Sequence, residues 1–343
     1  MKAAIMHGVR DVSTGDIPAP VIREDEALVR IRSVGICGSD VHYYVHGHIG
    51  PYVVVPPYVL GHECAGEVVE VGRAVTNVRP GDRVAVEPGV PCRRCGFCKG
   101  GRYNLCRDVV FLAAPPVQGA LVEYLAHAAD FLFPLPGNVS LHEGAMCEPL
   151  STGMQAVRRS GLAMGDRVFI AGVGPIGLVT LQAFRAAGAG AVYASDLAPE
   201  RLALARDLGA TATFDARDPD LVAKLRDLTD GLGPEIVVET AGSPEATTAS
   251  IDMVRPGGVI VLVGLVPAAT IPMNALGIID KEIDVRGVFR YANTYPAALA
   301  MVARGAVDVK RMITSEYPLD RAGEAFADVA ARKPGTIKAM VVV

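Results

Sequence analysis

Apolar and polar positions change period once along the chain. Up to about residue 150 the apolar residues form short runs cut by proline and glycine, and 2–7, 27–34, 66–71, 83–86 and 121–124 read as strands. After a helical stretch at 151–159, a strand pattern at 167–171 opens an alternation of helix and strand that continues to about residue 288. Strands are predicted at 191–195, 212–214, 236–239, 259–263 and 283–288, and helices at 176–187, 199–208 and 221–228. Pro199 suits the first position of its helix, where no useful donor is lost. Helices at 295–304 and 321–331 and a strand at 337–341 close the chain. The pattern predicts an α/β protein, mostly β at first and then built on a parallel sheet. Periodicity leaves open whether the tail elements pack with the first region.

A length of 343 residues exceeds one usual compact domain, so two domains are expected. Half the residues are hydrophobic, 20% are charged and none is Trp, the profile of an ordered chain. The formal charge of -4, without a dense Lys/Arg stripe, argues against nucleic acid as a partner. No signal-type start or long uninterrupted apolar run is seen, so no membrane partner is expected and the cytoplasm is the expected location.

Gly172-Val-Gly174-Pro175-Ile176-Gly177 follows a predicted strand and opens an apolar helix. There the glycines permit a tight turn and close backbone approach, and N–H groups at the helix start can receive a pyrophosphate. Asp196 ends the next predicted strand, where a carboxylate can accept both ribose hydroxyls of an adenosine and repel a 2'-phosphate. NAD is therefore the expected coenzyme. Arg201 blurs the preference, because a guanidinium beside the ribose tolerates phosphate.

The seven cysteines are odd in number, and Cys92, Cys95, Cys98 and Cys106 crowd together with spacing that suits a metal better than a disulfide scaffold. Four thiolates on short loops point to tetrahedral structural zinc, with an iron-sulfur centre as the lesser alternative. A second set is dispersed: Cys37 in GICGSDVHYY, His62 and Glu63 in GHECAG, and Glu148 in CEPLS. Spacing alone does not bring these together, and His62 reads equally well as a core histidine.

Taken in order, GICGSDVHYY, GHECAG, CRRCGFC, CEPLS, GVGPIG and VFRYANTYP give the chain its resemblance. Along nearly its full length it resembles the medium-chain zinc alcohol dehydrogenases, and most closely their sorbitol/xylitol dehydrogenase branch. The resemblance implies a GroES-like, mostly β catalytic domain at 1–150 and 291–343 and a Rossmann doubly wound parallel-sheet domain at 151–290. It implies catalytic zinc on Cys37, His62 and Glu63 with Glu148 nearby or as an alternate ligand, hence two Zn(II) per chain. Ser39 and His42 match a proton relay, and Tyr43, Arg290 and Tyr291 match positions beside a polyol. The activity implied is oxidation of a polyol at C2 to a ketose with NAD, and the reverse, by a homotetramer acting on small molecules. L-threonine, a small diol or a secondary alcohol is the alternative substrate, and a noncatalytic NAD-binding regulator is the rival of another class.

Overall fold

The alternating run Glu26–Gly35 forms the central strand of a seven-stranded mixed sheet. One of its edges pairs antiparallel with Glu63–Val71, which continues through Arg83–Val86 to Leu132–Pro134. The other edge is shared: Tyr124–Ala128 pairs with its first half, and Lys338–Val342 with its end. Lys338–Val342 in turn pairs in parallel with Ile313–Pro318. Val29, Ile31, Val84, Val86 and Val341 point from these strands into one core. Each contributes roughly 1.5–3 kcal/mol over an exposed side chain.

A computed structural model describes residues 1–266 and 270–343. They form two compact units: Met1–Glu148 with Tyr295–Gly305 and Val309–Val343, and Pro149–Thr294 with Ala306–Asp308. In the second unit six parallel strands run in the spatial order Ala212–Asp215, Ala191–Asp196, Arg167–Ala171, Ile236–Glu239, Val259–Leu262 and Asp284–Gly287. Val168, Phe169 and Ile170 are wholly buried, which is why the central strand reads as an uninterrupted apolar run. Strand order reverses between Arg167–Ala171 and Ile236–Glu239, which opens a crevice at their carboxyl ends where ligands bind in such sheets. The predicted α/β class, a mostly β sheet and a Rossmann-type parallel sheet, is what the chain adopts.

The strand predicted at 121–124 is corrected to Tyr124–Ala128. Ala120 and Leu121 donate instead to the carbonyls of Gly61 and Leu60, and Leu121 O accepts from Ala4 N. That apolar run is a buried crossing between neighbours, with Val122 making one isolated bridge to Ala3. The helix Gly38–His46 has no counterpart in the sequence reading, because its buried Asp40 and interspersed histidines break the apolar stripe. Among the described residues no helix is long and apolar enough to cross a membrane.

Candidate active site

Cys37 caps the helix Gly38–His46 immediately beyond the central strand, and Gly35 on that strand pairs directly with Glu63. The register thus carries His62 and Glu63 to Cys37. One ligand atom from each of the three lies within 4.8 Å of the others. Asp40, fully buried in the first helical turn, accepts from the Cys37 and Gly61 backbone N–H groups, and its Oδ1 lies 3.4 Å from His62 Nδ1. A proton on Nδ1 facing Asp40 leaves Nε2 the ligating lone pair. With His62 Nδ1 turned to Asp40 and Glu63 Oε2 paired with Lys338, the Cys37 thiol, His62 Nε2 and the second Glu63 oxygen remain as a buried sulfur, nitrogen and oxygen donor set, which fits zinc with three protein ligands and an open fourth position.

Lys338, buried at the start of its strand, donates to Ile36 O at 2.9 Å and faces Glu63 Oε2 as an ion pair. Neither it nor Asp40 was singled out from the sequence. The available signal was a lone lysine in the otherwise apolar IKAMVVV, since unpaired lysines are rarely buried. Glu148 sits buried in the first turn of the helix Cys147–Ser160, outside the ligand triangle, with its charge felt at Lys338 and Glu87. Burial pushes the thiols of Cys64 and Cys147 up to about 12, and neither belongs to a cluster of metal-ligating groups among the described residues. Ser39, His42 and Tyr43 lie along the helix Gly38–His46. Burial, with His46 adding to it, holds His42 below its ordinary value.

The four thiols of Cys92, Cys95, Cys98 and Cys106 also gather within 4.8 Å of one another, and none is in a disulfide. Without a metal the four thiols share their protons: backbone N–H groups of Arg94 and Cys95 pull Cys92 down to about 7, while burial and the neighbouring thiols push Cys98 up to about 12. Their loop is tied to the main sheet by the Tyr103 hydroxyl, which donates to Glu87 Oε1 at 2.7 Å. Four filled protein positions leave no room for substrate, and this site fits structural zinc.

In the second unit Gly172 has φ +92°, and Gly174 caps the helix Pro175–Ala186 with Pro175 at its first position. A Cβ at Gly177 would meet Gly172 O and Thr240 Oγ1, and Thr240 Oγ1 itself donates to Gly172 O at 2.6 Å. Asp196 does more than spacing foresaw. Its Oδ2 accepts from Val173 N at 2.8 Å and its Oδ1 from Ala198 N at 3.0 Å, which pins the glycine loop while lone pairs remain on both oxygens. Arg201 Nη1 stands 3.9 Å from Asp196 Oδ1.

Arg290 and Asn293 hold φ values of +52° and +54°, a left-handed backbone unusual without glycine. The segment is clamped: Arg158 donates to Ala292 O at 2.5 Å and Asn293 O at 2.9 Å, and Arg159 to Gly287 O at 3.2 Å. Tyr291 is buried beside it. Tyr43 belongs to the first unit, and Arg290 and Tyr291 to the second.

Residues 23–137 match the alcohol dehydrogenase GroES-like domain, and residues 175–304 match the zinc-binding dehydrogenase family. The chain is 46% identical to the sorbitol dehydrogenase of Bacillus subtilis over 341 residues, 99% of this chain and 97% of that protein. Among solved structures it is similar to an Escherichia coli oxidoreductase/dehydrogenase of unknown specificity, at 40% identity and TM-score 0.95, covering 99% and 98% of the two chains. It is also similar to the 2R,3R-butanediol dehydrogenase of Bacillus subtilis, at 33% identity and TM-score 0.91, covering 100% and 99%.

Proposed function

The chain belongs to the zinc-dependent medium-chain dehydrogenase/reductase family, whose members of this type are NAD-dependent enzymes, and from that membership we propose that it interconverts a polyol and its ketose at C2. Xylitol to xylulose or sorbitol to fructose is the reaction class. The observation that carries this reading is the similarity to a sorbitol dehydrogenase over almost the whole length of both chains. The meeting of Cys37, His62 and Glu63 supports its metal chemistry.

When bound, zinc supplies a Lewis acid for the alcohol oxygen and NAD the hydride acceptor. Cys37, His62 and Glu63 hold the metal with Glu148 close by, and Asp40 orients His62. Ser39 and His42 pass the hydroxyl proton outward. Held below its ordinary value, His42 is neutral at neutral pH and can both accept and release that proton. By the resemblance, Tyr43, Arg290 and Tyr291 are each assigned to the remaining hydroxyls of the substrate. Backbone N–H groups of Gly174, Ile176 and Gly177, with Pro175 opening the helix between them, receive the pyrophosphate, and Asp196 the adenine ribose, with Arg201 at its edge. The catalytic domain is assigned to 1–150 with 291–343, the coenzyme domain to 151–290, and the assembly to a homotetramer.

A panel of xylitol, sorbitol, ribitol, 2,3-butanediol, L-threonine and a secondary monohydroxy alcohol with NAD tests the reading. A polyol should exceed the monohydroxy alcohol in kcat/KM by about ten-fold or more, because one missing hydrogen bond in a polar pocket already costs that much. The product must be a ketose. Preference for threonine or the monohydroxy alcohol, or release of an aldose, overturns the substrate assignment. Coenzyme binding without any alcohol-dependent NADH formation would instead favour a regulator.

A further inference from the structure

A buried lysine in a strand is stable only beside a compensating anion, and Lys338 is the sole charged residue of Lys338–Val342. Strand pairing explains its partner. Met340 stands opposite Gly35, and Gly35 opposite Glu63, so three adjacent strands bring the lysine and the carboxylate together over Gly35. The side chains of Lys338 and Glu63 are 3% and 1% exposed. Only a residue without a Cβ leaves them room: an added Cβ at Gly35 would fall on Glu63 Oε2 and within 2.9 Å of Lys338 Cε.

We propose that Lys338 is a positioning residue of the catalytic metal centre, whose fixed charge holds Glu63 in the ligand triangle and selects it over the neighbouring Glu148 as the oxygen donor. This rests on the zinc reading above. A buried carboxylate with no cation beside it is strongly disfavoured. Glu63 turned by Oε2 toward the ammonium keeps its other oxygen for the metal, while Glu148 lies outside the triangle. With the Cys37 thiolate and the buried carboxylates of Asp40, Glu63 and Glu148, a zinc dication leaves an excess of negative charge that the Lys338 ammonium reduces.

The test uses the full-length holoenzyme, with zinc content measured against a competing chelator and with Co(II) exchanged into the catalytic site for its visible ligand-field bands. Lys338→Met should weaken zinc at this site about ten-fold or more and shift the Co(II) bands, as loss of a ligand's own partner does. Lys338→Arg should restore most of the affinity. Retained zinc on the four cysteines reports folding in each variant. If Lys338→Met fails that check, Gly35→Ala decides, because it keeps both charges but intrudes between them, and it should shift the same bands. Unchanged bands and affinity in the folded variant overturn the proposal. So does weaker NADH binding with unchanged bands, which would make Lys338 a coenzyme-phosphate residue. Wild-type metal content unaltered by Cys37→Ser would sink the zinc reading itself, a result distinct from either.

Discussion

Glu87 is a buried acid whose Oε1 accepts from Tyr103, and burial pushes it up to about 7, opposed by Tyr103 and reinforced by Glu148. Its folded value lies above its unfolded one, so the stability it permits is complete below about pH 4.5 and is lost as pH rises through about 7. A displacement of that size corresponds to about 3 kcal/mol. Glu87→Gln keeps an acceptor for Tyr103, so it should melt above the wild type at pH 8 and show almost no gain at pH 5. Equal gains at both values would disprove the assignment. Asp196 yields a second expectation. Because it accepts two loop N–H groups in addition to any ribose hydroxyl, Asp196→Ser should lower kcat/KM for NAD by about 10- to 100-fold and change NADP little. A wild-type preference for NADP would overturn this. At this scale the sequence exposed residues whose neighbours are close in the chain, such as the four cysteines and the glycine loop. Cys37, His62 and Glu63 were recognisable only as an ordered set of motifs. Lys338, Asp40 and Thr240 stayed hidden because their partners are set by strand register and loop packing, in the case of Lys338 and Ile36 across 302 positions.

Elements were legible where burial imposes one clear period. The four inner strands of the parallel sheet, largely buried, came out within a residue or two of their places, as did the helices Pro175–Ala186, Pro199–Asp207 and Leu221–Asp227, whereas the helices Pro244–Met253 and Ala275–Asp280 were not named from the sequence. The period failed where an apolar run serves a crossing, as at Leu121, and where polar residues turn inward to a site, as in Gly38–His46. The loop after Asp284–Gly287 has no periodicity at all, and its shape depends on side chains that hold it. Left-handed residues at Arg290 and Asn293 are strained and persist only when their surroundings fix them. Arg158 supplies two of those bonds from the last turn of its helix. Arg158→Met should therefore raise KM for the polyol by about three- to ten-fold, the worth of one ordinary hydrogen bond, with NADH affinity unaltered. The comparison of KM with NADH titration separates a substrate-side role from general loosening. An equal loss in both would place the effect on the whole unit.

Over the whole molecule, each unit buries its own core, one around Val29, Ile31 and Phe326 and the other around Phe169, Val237 and Ile260. Both metal sites belong to the first unit. Three protein donors with an open position exchange zinc through that position, whereas four thiolates enclose their ion and its loss removes a fold-holding link. Brief treatment with a chelator should remove about one zinc per chain and abolish turnover in proportion, leaving the circular dichroism spectrum unchanged. Thiol modification that releases the second zinc should lower the melting temperature of the first unit by about 5 °C or more. The second unit, with its separate core, should melt where it did before, so that one transition becomes two. Metal analysis, turnover and calorimetry on the same samples follow this sequence. Full activity in a sample holding only the four-cysteine zinc would exclude catalysis at Cys37, His62 and Glu63. Activity that falls only as the second ion leaves would show that the two sites had been assigned the wrong way round.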